Sequence, residues 1–131
     1  MKIYNILSVI LICILFVTFS SCKKKRETGD IEVTCKPLEG ETVDVSTLSI
    51  ELHSKSNFNA KITSTTSTGS SSMSKGSFEK LQPDVYYVMA WKDFDSNLMI
   101  SKDDYFGFWP YPINLDKGET KNITIEMYVV E

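Results

Sequence analysis

The chain has 131 residues, 42% of them hydrophobic, with 14 Lys and Arg against 17 Asp and Glu for a formal charge of −3. That length supports one domain and leaves no room for a second independent core. Charge is unevenly divided: residues 22–29 carry +3 and residues 30–131 carry −7, so the domain lacks the basic surface on which nucleic-acid binding depends.

At the N-terminus Lys2 supplies a positive region, Ile6 to Phe19 an apolar run, and Ser20-Ser21 two small side chains directly before Cys22. This is the order of an export signal, and the apolar run is shorter than the ~20 residues of a bilayer-spanning helix. Phe19-Ser20-Ser21-Cys22 resembles the lipobox of bacterial lipoproteins, in the loose serine-rich form of Bacteroidetes, with Phe19 where a smaller aliphatic is commoner. The resemblance implies a signal peptide over 1–21, fatty acylation (palmitate) of Cys22, and a basic tether over 22–29 that anchors a cell-envelope protein to a membrane. The competing reading is an uncleaved membrane helix, in which Lys23-Lys24-Lys25-Arg26 keeps the following domain cytoplasmic. Surface-exposed lipoproteins of this kind are often acidic after the cysteine, so the basic tether implies an outer-membrane protein facing the periplasm.

From residue 30 onward the pattern has strand period. Ile31, Val33 and Cys35 share one face, which makes Cys35 a buried small hydrophobe. With Cys13 in the signal and Cys22 acylated, Cys35 has no disulfide partner. Leu48, Ile50 and Leu52 alternate with Ser49, Glu51 and His53, predicting a strand buried on one face, with His53 a lone surface histidine on the other. Further strands are predicted around 59–66, 73–81, 85–91 (apolar on both faces, hence central), 113–115 and 122–129. Turns are predicted at Pro37 to Glu41, Ser67 to Ser72, Gln82-Pro83-Asp84 and Asp116-Lys117-Gly118. About seven short strands without a helix in the mature chain predict an all-β, seven-stranded antiparallel Greek-key sandwich over 30–131.

Gly76-Ser77-Phe78-Glu79-Lys80-Leu81-Gln82-Pro83-Asp84-Val85-Tyr86 resembles the G-x-F-x-x-L-x-P-G-x-Y signature of carboxypeptidase regulatory-like domains, with Asp84 in place of the usual Gly. The resemblance implies a transthyretin-like sandwich in which Phe78 and Leu81 fill the core and Tyr86 opens a central strand. It also implies a non-catalytic accessory or binding role.

One segment carries explicit chemistry. Calcium takes six to eight oxygens, and a twelve-residue loop can supply them from positions 1, 3, 5, 7, 9 and 12. Asp93, Asp95, Asn97, the carbonyl of Met99, Ser101 and Asp104 hold those positions. The run resembles EF-hand and dockerin-type loops, which implies calcium as cofactor. It departs from them at Leu98, where a Gly makes the sharp turn, and at Asp104, where a longer Glu is usual. The alternative is an acidic loop that is simply solvated. Five aromatics follow between Tyr105 and Tyr111, and Tyr105, Trp109 and Tyr111 are the candidate contacts for an envelope protein or glycan. The alternative for this segment is that Phe106 and Phe108 plug one end of the domain.

No nucleophile–base pair, phosphate loop or metalloprotease motif is present. The sequence reads as a non-catalytic envelope lipoprotein, a binding or accessory module with a calcium-stiffened loop. Its rival is a small envelope enzyme or inhibitor that uses the acidic loop.

Overall fold

The computed structural model describes residues 27–131. The signal over 1–21, Cys22 and most of the tether lie outside the described residues. The described residues are all-β: β1 (Gly29–Pro37), β2 (Ser49–His53), β3 (Lys61–Thr66), β4 (Thr68–Ser70), β5 (Met73–Leu81), β6 (Asp84–Lys92), β7 (Tyr105–Phe108), β8 (Ile113–Leu115) and β9 (Thr120–Val129).

The strands follow one hydrogen-bonded path, β3-β2-β6-β7-β9-β1-β5-β4, with β8 added to β6. β6 is central, flanked by β2 on one side and by β8 and β7 in succession on the other. Its residues Val88 and Ala90 are fully buried with Ile31, Cys35, Ile50, Leu52 and Ile125 in one core, so the period-two apolar positions of four strands meet there. Tyr86 donates its hydroxyl to the Gln82 carbonyl at 2.7 Å, which ties the start of β6 back to the turn that precedes it. Phe78 is buried and Leu81 packs against the same core. On β7, Gly107 has no room for a side chain. A β-carbon there would fall against the Glu126 carbonyl oxygen and lie 2.8 Å from Ile125, so glycine is what lets β7 press onto β9.

The all-β prediction holds, and four details differ. Among the described residues there are nine strands rather than seven, because β4 forms inside the predicted Ser67–Ser72 turn and because β7 forms within the aromatic segment. β4 follows β3 after the single residue Ser67 but pairs with β5 instead of β2. Ser67 is buried at this switch, where its hydroxyl accepts the Leu48 amide and the Ser74 hydroxyl. The pairing is not wholly antiparallel, since β1 runs parallel to β9 from Asp30↔Thr120 to Pro37↔Met127. Finally, β2 is buried on both faces. Glu51 and His53 lie under cover, with Phe58 of the β2–β3 loop edge-on to the imidazole at 5.3 Å, so His53 is not a surface residue.

Candidate calcium loop

The register of the sheet builds the mouth of the acidic loop. Lys92 of β6 pairs with Tyr105 of β7, so Asp93 and Asp104 are the next residues out on the same rung. Two backbone bonds then pin Asp104 to the end of β9: its carbonyl accepts the Val130 amide at 2.8 Å, and the Asp103 amide donates to the Val130 carbonyl at 2.8 Å. Asp104 is thereby buried to 1% exposure at the base of the loop. Asp95 turns back toward this pair, and one carboxylate oxygen from each of Asp93, Asp95 and Asp104 lies within 4.8 Å of the others.

Each carboxylate also orders its own backbone. Asp93 accepts the amides of Ser96 (2.7 Å) and Leu98 (2.8 Å). Asp95 accepts the Asn97 amide at 3.1 Å. Asp104 takes the Phe94 amide on one oxygen at 3.0 Å, and the Ser101 amide on the other at 2.8 Å. The charged forms are favoured accordingly. The Phe94 and Ser101 amides hold the Asp104 carboxyl below the usual aspartate range. At Asp93 desolvation pushes the pKa up, and hydrogen bonds from the Leu98 and Ser96 amides, together with Asp95 and the Asn97 amide, bring the net direction down. Hydrogen bonds to an ionised carboxylate act in this direction generally.

The loop puts Leu98 at φ 61°, the left-handed conformation for which glycine is the usual residue. The Leu98 side chain is 84% exposed, so nothing packed compensates for the strain.

The donor set is all oxygen, as a hard cation prefers, and the three carboxylates and the Ser101 hydroxyl suit calcium. Asn97 fits less well as oriented. Its NH2 points inward, to Asp95 at 2.7 Å and Ser101 at 3.1 Å, while its side-chain oxygen accepts the Met99 amide at 2.7 Å. To ligate, Asn97 would have to turn its oxygen inward.

Of the aromatic candidates, Tyr111 is 63% exposed. Tyr105 and Trp109 are half-buried and pack against the core. Tyr105 meets Phe94 edge-on at 4.7 Å, and Trp109 meets Tyr111 at 5.7 Å. Phe108, at 43% exposure, is an outer-face aromatic that alternation around Gly107 could have indicated. Lys36, Thr124 and Glu126 lie beside Phe108 and Trp109 along one cavity, a proximity that depends on the parallel β1–β9 pairing and has no signal in the linear sequence. No protein family, curated protein or solved structure matches the chain.

Proposed function

We propose that this chain is a non-catalytic cell-envelope lipoprotein, a transthyretin-like β module anchored through acylated Cys22 and carrying a calcium-stiffened loop over 93–104. The observation that supports the reading best is the convergence of Asp93, Asp95 and Asp104 within 4.8 Å. Three carboxylates held so close repel one another, and a divalent cation between them relieves that repulsion. Their bonds to the loop's own amides favour a structural loop over acid–base chemistry, which needs a group aimed at a substrate.

Placement agrees with an anchored module. β1 begins at Gly29, close in sequence to Cys22. The acidic loop follows the far end of β6, nine residues long, which spans about 30 Å at ~3.3 Å per residue. The loop therefore faces away from the pole where the tether enters, while the tether sets its reach.

The anchor is tested by mass spectrometry of protein extracted from envelopes. The wild type should begin at Cys22 and carry acyl chains, and Cys22→Ser should remain an unprocessed, unacylated precursor. Identical mass and membrane extraction for the two would refute the lipoprotein reading.

A further inference from the structure

The outer face of the β5-β1-β9 layer carries two neighbouring cavities. In-register pairing sets Glu32 beside Asn122, Thr34 beside Thr124, and Lys36 beside Glu126, while β5 brings Ser77 beside Glu32 and Lys75 beside Thr34. A cavity of about 300 Å³ opens among Glu32, Thr34, Lys75, Ser77 and Asn122. A second of about 410 Å³ opens among Lys36, Thr124, Glu126, Phe108, Trp109 and Pro110. The two lie on successive rungs of the same two strands, so a chain laid along β1 and β9 would span both, a trough about 13 Å long at ~3.3 Å per residue.

The lining restricts what can lie there. Its two lysines and two glutamates cancel, although the domain as a whole carries −7, and Lys36 pairs with Glu126 at 2.9 Å. A polyanion finds no net positive charge in such a trough. An apolar peptide would strip water from hydroxyl, amide and charged groups without replacing their hydrogen bonds. What matches is a neutral chain rich in hydroxyls with apolar C–H faces: the polar rungs exchange hydrogen bonds with its hydroxyls, and exposed Phe108 and Pro110 give its ring faces an apolar surface at one end.

We propose that this trough binds an extended neutral oligosaccharide, with Phe108 and Pro110 as the stacking end and Asn122, Thr124 and the Lys36–Glu126 pair as hydrogen-bonding rungs. The proposal rests on the reading of the chain as a binding module and names the ligand class for it.

The test uses the full chain in a detergent without a sugar headgroup, titrated calorimetrically with hexasaccharides of α-1,4-glucose, β-1,4-glucose, β-1,4-xylose and β-1,4-N-acetylglucosamine. At least one should bind, and Phe108→Ala and Asn122→Ala should each weaken that binding about tenfold, or about 1.4 kcal/mol, with unchanged far-UV spectra. Cys22→Ser should bind as the wild type does, so failure of the anchor and failure of the glycan site are read separately. Absence of binding at millimolar sugar, affinity unchanged in both trough variants, or preferential binding of polygalacturonate, single-stranded DNA or a leucine-rich peptide would overturn the proposal.

Discussion

Nε2 of His53 lies 3.0 Å from Oε2 of Glu51, two residues earlier on the same face of β2 and buried with it. The other Glu51 oxygen meets Lys61 Nζ at 3.2 Å and Trp91 Nε1 at 3.3 Å. Glu51 is thus the shared acceptor that lets the outer face of β2 be covered. The other ring nitrogen, Nδ1 of His53, is the one buried side-chain nitrogen or oxygen without a hydrogen-bond partner among the described residues.

Removing the acceptor should therefore cost far more than removing the exposed cation. Glu51→Ala leaves the buried His53 ring and the half-buried Trp91 indole N–H without their acceptor and should destabilise the protein by about 2–4 kcal/mol in urea unfolding. Lys61→Ala, at a side chain 52% exposed, should cost less than about 1 kcal/mol. Equal losses would mean that the cluster is held by packing alone.

That cluster marks where sequence reading stops. Alternation located β1, β2 and β9, because Ile31-Val33-Cys35, Leu48-Ile50-Leu52 and Ile123-Ile125-Met127 recur at period two, and the run over 85–91, apolar on both faces, located β6. The same alternation made Glu51 and His53 look solvated, since a polar residue satisfied by neighbours under a loop cannot be told from one satisfied by water. β4 was hidden because Thr68-Gly69-Ser70 has turn composition, and its pairing is decided by Ser67 and Ser74 across the switch. The acidic loop was legible because its spacing is local, and the strain at Leu98 follows from the same spacing. The trough on β1 and β9 depends on a parallel register between distant segments, which no local pattern encodes.

Leu98 supplies a second expectation. A left-handed non-glycine residue costs about 1–2 kcal/mol, and glycine's greater unfolded-state freedom returns about 0.5–1 kcal/mol of that. Leu98→Gly should stabilise the protein by roughly 0.5–1 kcal/mol in chelator, and more in calcium. Destabilisation would show that the loop does not hold this residue at positive φ.

Burial pushes the Cys35 thiol up to about 12, and it is fully buried. In a Cys13→Ser/Cys22→Ser double variant, whose one remaining thiol is Cys35, a thiol reagent at about pH 8 should therefore leave the native protein unmodified and label it in denaturant. Rapid labelling of the native protein would contradict the strand assignment of β1.

The loop carboxylates set an acid dependence. The folded pKa values of Asp93 and Asp104 lie below the ordinary aspartate value, so their contribution is present above about pH 4 and is lost as pH falls through the folded values. Asp44, held low by the Ser46 amide, and Glu119, held low by Lys121, act in the same direction. Subtracting the profile of Asp104→Asn from that of the wild type isolates the loop: the variant should be less stable at neutral pH and should lose less further stability than the wild type as pH falls below about 4. Parallel profiles would show that Asp104 is not stabilised in its charged form.

The most direct test of the account is the melting temperature of the full protein in calcium and in chelator. Calcium binding stabilises the folded state by about 2.7 kcal/mol when free ion is a hundredfold above Kd. The wild type should melt several degrees higher in calcium, magnesium should do far less, and Asp93→Asn with Asp95→Asn should abolish the difference. A melting temperature that does not change up to millimolar calcium, the range of extracellular sites, would contradict the calcium-stiffened loop and leave the acidic segment held by its own hydrogen bonds.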